Sequence, residues 1–304
     1  VEKVQFLASQ PHYVDHLRPV YEALPEEVRG VFATNRNELA PKTLTVVSSY
    51  ADLLVVKNCP VVFFEHGTGF RYNNNHPSYS GSAKRDGVVL FCNVNRIVES
   101  RNQEVNPDAK HAIVGCPKLD SLVAAKFIPD DNAEVAFSWH WECTVAPETR
   151  SAWKHYQPHL RQIAEEAKGL WAPIGHAHPR AWKTVVKDYE AWNWCTARSF
   201  SDVCARADVY VCDTSSTIYE FAALGRPVVV LNAPWYRKNV HHGLRFWDHI
   251  PGIQVDDPRN LNAAIREALE NDTWAEERKR ITDIVYPYIG EASQRAAAAI
   301  LEVL

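Results

Sequence analysis

Short apolar runs alternate with amphipathic segments along the whole 304-residue chain. VQFLAS (Val4 to Ser9), GVFATN, TLTVVSS, CPVVFF, DGVVLFCN and KHAIVGCP are rich in β-branched and aromatic residues and read as strands. HYVDHLRPVYEAL (His12 to Leu24) reads as a helix despite Pro19, and VNRIVESRNQ as another. ADLLVV fits a short helix or a strand. The polar, proline-bearing stretch PDDNA (Pro129 to Ala133) reads as a linker. Beyond it the pattern restarts with the strand EVAFSW. A helix, PETRSAWKHYQPHLRQIAEEA, follows, its face set by Trp153, Tyr156, Leu160, Ile163 and Ala167. Pro147 and Glu148 suit the first turn of that helix. LWAPIGHAH, DVYVCDTS and PVVVLNAP read as strands. NLNAAIREALEND is an amphipathic helix with Asn260 as its expected cap, and SQRAAAAILEVL is a last helix.

Strands that are apolar on both faces and separated by helices predict an α/β fold with parallel sheets. The restart predicts two Rossmann-like domains facing a central cleft. They would be a 1–128 acceptor-side domain and a 129–304 nucleotide-donor domain, the last helix being free to pack back on the first. In such sheets ligands bind beyond the carboxyl ends of the strands, so the residues after each strand carry the candidate chemistry.

Composition narrows the class. Net charge is −4, which argues against a surface built for nucleic acid. No apolar run approaches the length of a membrane span, and the opening residues lack the basic region of a signal peptide. Seven cysteines without a C-x-x-C pair read as reduced thiols. A cytoplasmic enzyme with no integral membrane contact is expected.

Three strand ends stand out. His66-Gly67-Thr68-Gly69 follows an apolar strand, with Arg71 just beyond. His66 titrates near neutrality and can take a proton from an acceptor alcohol. Gly67, Thr68, Gly69 and Arg71 would line the acceptor side. GHAHPR places His176, His178 and Arg180 after a second strand, where His178 and Arg180 can donate to a diphosphate. A zinc pair is the other chemistry open to alternating histidines, but no third ligand lies nearby in sequence, so no metal is expected. In CDTSSTIYEFAALGRPVVV, Asp213, Thr214, Ser215 and Ser216 precede a helix. Thr214, Ser215 and Ser216 would cradle the diphosphate at its N-terminus, and Glu220 or Asp213 would meet a ribose or another part of the donor. The same residues also fit an ordinary N-cap. WYRKNVHHGLRFWDH mixes cations with aromatics and offers Arg237, Lys238 and Arg245 as cleft residues. SWHWEC has a similar mixture.

Together HGTGFR, HPR and ADVYVCDTSSTIYEFAALGRPVVVLN resemble the CDP-glycerol glycerophosphotransferases that build teichoic-acid polymers. The resemblance is clearest from about Asp202 to Leu231. It implies GT-B architecture, His66 as the base, His178 on the phosphate side, and Ser215 and Ser216 on the donor diphosphate. Gly69 and Arg71 stand where the family has proline and lysine. The expected function is transfer of a glycosyl or glycerophosphoryl group from a nucleoside-diphosphate-activated donor to an acceptor hydroxyl, without a cofactor. The acceptor is a glycan, a teichoic-type polymer or, ranked last, a modified DNA base. A UDP-N-acetylglucosamine 2-epimerase-like enzyme and a non-catalytic nucleotide-sugar sensor are the alternatives.

Overall fold

The computed structural model describes residues 2–65, 67–68, 87–125, 127, 132–144, 146–239 and 246–304. The chain forms two compact units: Val1–Ala124 with Ile284–Leu304, and Ala125–Asp283.

The first unit is built on β1 (Val4–Leu7), β2 (Arg29–Ala33), β3 (Leu44–Val47), β4 (Val61–Phe64), β5 (Val88–Asn93) and β6 (Lys110–Ile113). All pair in parallel in the order β2-β1-β3-β4-β5-β6. Successive side chains of a strand leave the sheet on opposite faces. Val4, Phe6, Val46, Val62, Leu90 and Cys92 enter one core, and Leu7, Val47, Val61, Phe63 and Phe91 the other. Both faces therefore need cover. α1 (Pro11–Ala23), α2 (Tyr50–Val55), α3 (Arg96–Val105) and α4 (Pro117–Ala124) follow the strands. ADLLVV is helical because Ser49 Oγ accepts from the N–H groups of Ala51 and Asp52, which caps α2.

The chain's last helix, α11 (Ala292–Leu301), belongs to this first unit, where Ala296, Ala297 and Ile300 join the core that holds Val4 and Phe6. Asp120 on α4 accepts from the N–H groups of Ala292 and Ser293 at 3.3 and 2.7 Å, satisfying the start of α11. Gly115 has φ +86, and a Cβ there would lie 2.4 Å from the Pro287 carbonyl oxygen. No other residue fits that approach.

The second unit contains β7 (Ala133–Ser138), β8 (Trp171–Gly175), β9 (Cys195–Thr196), β10 (Val209–Cys212), β11 (Val228–Leu231) and β12 (Ile253–Val255). Its parallel order is β12-β11-β10-β7-β8-β9. The chain thus starts in the centre at β7, builds outward through β8 and β9, then returns to β10 on the other side of β7. Its helices are α5 (Trp153–Glu166), α6 (Trp182–Ala191), α7 (Phe200–Arg206), α8 (Thr217–Ala222), α9 (Leu261–Glu270) and most of α10 (Ala275–Val285).

Two local expectations are corrected. The helix expected to begin at Pro147 begins at Trp153, and residues 147–149 form a separate 3-10 turn. Asp213 is the cause: it accepts from the Ala152 N–H at 2.8 Å and Ser151 Oγ at 3.0 Å, which interrupts the helix before α5. The expected face nevertheless holds, with Trp153, Tyr156, Leu160, Ile163 and Ala167 all buried. Asn260 makes no capping bond to α9. A 3-10 turn at 258–260 precedes that helix, and Asp257 caps the turn. The linker residues Pro129, Asp130 and Asp131 lie outside the described residues.

Candidate functional site

In an open parallel sheet the crevice opens where the strand order reverses. In the second unit that point lies between β7 and β10, with β8 on the other side of β7. Residues just beyond Ser138, Gly175 and Cys212 therefore meet there, and two of the three strand ends singled out from the sequence are among them.

The pairing of β7 with β8 continues past the strands. The N–H of His176 donates to Phe137 O at 2.8 Å, and that of His178 to Trp139 O at 2.9 Å. His178 is thereby carried beside the residues that leave β7, and its ring centroid lies 5.7 Å from that of His140. The two histidines of GHAHPR have different surroundings. His176 is buried with Nδ1 2.7 Å from Ser138 Oγ, whereas His178 is half-buried. His178 Nδ1 accepts from the Arg180 N–H at 3.1 Å. In the neutral ring the proton then sits on Nε2, so His178 can donate to an anion without being charged. The exposed Arg180 guanidinium lies 4.8 Å from the Trp141 ring centroid and makes no ion pair among the described residues. It remains a cation at this strand end.

The end of β10 is divided between structural and open groups. Asp213 is fully buried. Its Oδ1 accepts from the His140 N–H at 2.7 Å, and its Oδ2 from Ser151 and Ala152. Both oxygens are committed inside the protein, so the geometry gives Asp213 the task of binding three segments together rather than meeting a ribose. Thr214 Oγ1 is buried without a hydrogen-bond partner. Ser215 Oγ accepts from the N–H and hydroxyl of Thr217, at 3.3 and 2.8 Å. Ser216 precedes α8 without a side-chain capping bond. The hydroxyls of Thr214 and Ser216 are thus unused among the described residues. Glu220 is buried on α8.

Arg237 and Lys238, expected as cleft residues, both hold carboxylates. Arg237 Nε and Nη2 lie 2.5 and 2.7 Å from the two oxygens of Glu148, which is fully buried. Lys238 pairs with Asp256. Burial by itself would push the Glu148 carboxyl up, but the hydrogen bonds from Arg237 outweigh it and hold the group below its ordinary value.

His140 was not singled out from the sequence, although SWHWEC carried the signal: a histidine directly after a strand and between tryptophans. Its Nδ1 lies 2.9 Å from Thr149 O and so carries the proton. Burial lowers its basicity, and the opposing pull of Asp213 does not make up the difference, so the ring is held towards the neutral form.

In the first unit, His66, Gly69 and Arg71 lie outside the described residues, as does Arg245 in the second. The flanks of His66 are described. The side chain of Glu65 is 7% exposed, accepts from Tyr50 Oη at 2.6 Å and lies 3.4 Å from Arg101. Gly67 has φ +90, a left-handed conformation that glycine accommodates. Thr68 is buried, and its carbonyl accepts from Asn95 Nδ2 at 3.1 Å. Among the described residues no group of three or more His, Cys, Asp or Glu side chains could hold a metal, and no helix is long and apolar enough to cross a membrane.

Comparison with solved structures places this architecture. Wall teichoic acid polymerase TagF superposes with a TM-score of 0.74 at 15% identity, covering 99% of this chain and 88% of that one. S. aureus MnaA, in a co-structure with UDP, gives 0.69 at 14% identity, over 100% and 98%. A putative UDP-N-acetylglucosamine 2-epimerase from Listeria monocytogenes gives 0.67 at 14%, over 100% and 97%. No curated protein matches the chain in sequence. Two parallel six-stranded sheets of this kind are the GT-B fold. Residues 161–302, which include the strand ends at His178 and Thr214, match the model of the CDP-Glycerol:Poly(glycerophosphate) glycerophosphotransferase family.

Proposed function

We propose that the chain transfers a glycosyl or glycerophosphoryl group from a nucleoside-diphosphate-activated donor to an acceptor hydroxyl, with CDP-glycerol as the favoured donor. The observation that carries this reading is the placement of His178 and Arg180 after β8, and of Thr214 and Ser216 after β10, on the two sides of β7 at the strand-order reversal of the second unit. An uncharged N–H donor, with a cation without a counter-ion and hydroxyls unused among the described residues, suits a dianionic diphosphate. The family match covers these same residues.

His66 is the proposed base. It takes the acceptor proton as the acceptor oxygen attacks the anomeric carbon or the phosphorus of the donor. The bond to the departing phosphate oxygen breaks, and His178 and Arg180 hold the charge that develops there. These groups do the work without a metal or cofactor. The acceptor is a glycan or a teichoic-type polymer, and the cytoplasm is the proposed compartment.

Thermal-shift measurement against CDP-, UDP-, GDP- and ADP-linked donors tests the donor reading, because a ligand selective for the folded state raises the melting temperature. His66→Ala should abolish turnover and keep donor binding. Retained turnover would remove His66 from the mechanism. The likeness to UDP-N-acetylglucosamine 2-epimerases favours one second reading, isomerisation without an acceptor. Product formed from UDP-N-acetylglucosamine alone would establish it.

A further inference from the structure

The donor reading leaves one well-anchored ring unused. His140 stands at the strand-order reversal and is held at two points. Its backbone N–H donates to Asp213 Oδ1 at 2.7 Å, and its Nδ1–H donates to Thr149 O at 2.9 Å. Thr149 is itself fixed. Its Oγ1 accepts from the Ala146 N–H at 3.2 Å and lies 2.8 and 3.1 Å from the carbonyl oxygens of Ala146 and Cys143. The next link is Glu148, whose carboxylate ties the 147–149 turn to the loop after β11 through the side chain and N–H of Arg237. Tyr236 Oη in that loop also donates to Arg150 O at 2.7 Å. A chain of bonds from β11 to β7 thus commits Nδ1 and leaves Nε2 as the one ring nitrogen of His140 without a hydrogen-bond partner among the described residues.

We propose that His140 is a further donor-binding residue, its Nε2 taking a proton from solvent as the diphosphate arrives and donating it to a phosphate oxygen, with Glu148 as the positioning residue that holds the turn behind it. This rests on the donor reading above. With Nδ1–H fixed on Thr149 O, a neutral ring offers an anion only the Nε2 lone pair, which repels it. A dianion beside the ring reverses the preference, because a nearby opposite charge favours the charged form. Among the described residues, the charged and titratable groups facing the ring are Asp213 from the end of β10, and His178 and Arg180 from the end of β8. Glu148, on the turn, is spent on Arg237. Arg180 and burial keep the empty ring neutral, while His178 already presents an N–H. The two histidines therefore differ in what binding requires: His178 needs no proton, and His140 needs one. The proton passes from solvent to Nε2, no other covalent bond changes, and it returns when the nucleotide leaves.

Isothermal titration calorimetry of the full chain at near-neutral pH, in two buffers of different ionisation enthalpy, reads this directly. The probes are CDP-glycerol and UDP-N-acetylglucosamine. Their diphosphates are diesters with no group titrating in that range, so a proton taken up belongs to the protein. The expected result is an uptake approaching about one proton per ligand bound. His140→Gln should bind roughly tenfold more weakly and without that uptake, and His178→Gln should keep it. Glu148→Gln should reduce the uptake with the fold intact by circular dichroism. An unchanged value would remove Glu148 from the positioning role. Uptake by H140Q equal to that of the unmodified protein, or none by the unmodified protein, would overturn the proposal. If H140Q does not fold, the unmodified protein decides alone: affinity should rise as pH falls through the histidine range, and a flat profile overturns the assignment. Failure of the unmodified protein to bind either probe would instead refute the donor reading.

Discussion

The ring of Tyr189 occupies the space that any side chain at Gly175 would need: a Cβ built on Gly175 falls 2.4 Å from Tyr189 Cδ2. The ring cannot swing away easily. Its hydroxyl accepts from Trp139 Nε1 at 2.7 Å and lies within 3.3 Å of the carbonyl oxygens of Phe137 and His176, while its face stacks on Trp194. Gly175→Ala should therefore destabilise the protein by about 1–3 kcal/mol, measured as a lower urea midpoint. Because His178 lies three residues further on, donor affinity should fall in the same variant. Tyr189→Phe removes the acceptor of the Trp139 N–H and should cost about 1–2 kcal/mol.

Asp213→Asn tests whether this carboxylate is structural. The carboxylate serves the N–H groups of His140 and Ala152 and the hydroxyl of Ser151. An amide turns one acceptor into a donor that faces another donor. The expected loss is about 2–4 kcal/mol, read from chemical denaturation. A variant as stable as the parent but deficient in nucleotide binding would return Asp213 to the ligand.

The Glu148–Arg237 pair makes stability depend on pH in a definite direction. The carboxyl of Glu148 is held below its ordinary 4.5 by the bonds from Arg237, against the effect of burial. A group depressed on folding contributes fully above its unfolded value and loses that contribution as pH falls through its folded value. The stability difference between the parent and Glu148→Gln should thus be constant above about pH 5 and shrink at lower pH. Urea titrations across that range check it. Arg237→Ala leaves the carboxylate buried without its counter-ion. The cost should be about 2 kcal/mol, towards the lower end for broken buried pairs because Arg237 is half exposed.

Asp120→Ala should release the start of α11, where it accepts from two N–H groups. A lost cap costs about 1 kcal/mol, and faster amide hydrogen exchange at Ala292 and Ser293 would localise it. Gly115→Ala should be worse than this, since the added carbon meets a backbone carbonyl in a left-handed conformation.

The alternating pattern revealed most of this fold, because central strands of a parallel sheet are apolar on both faces. Val46, Phe63, Val135 and Val211 are buried and lie in runs that read as strands. The edge strands β9 and β12 did not register. Cys195 and Thr196 are two exposed residues, and Gln254 is exposed between Ile253 and Val255. Periodicity cannot mark elements so short. The places of the candidate residues in the fold were legible where a motif follows a strand, as at His178 after β8 and Thr214 after β10. The assignments of Asp213, Arg237 and Lys238 ran ahead of the sequence because partners as remote as Ala152, Glu148 and Asp256 satisfy them. His140 escaped for the complementary reason: its orientation depends on a carbonyl nine residues away.

The first unit takes its last helix from residues 292–301, on the far side of the 159 residues Ala125–Asp283. The faces of α1, α4 and β5 that receive this helix are therefore made by the ribosome early and covered late. The inserted unit, contiguous in the chain, has all its own strands before that cover emerges. Translation should thus deliver a finished second unit attached to a first that still shows bare hydrocarbon, and a chain stalled just short of Ala292 would be a natural client for a chaperone.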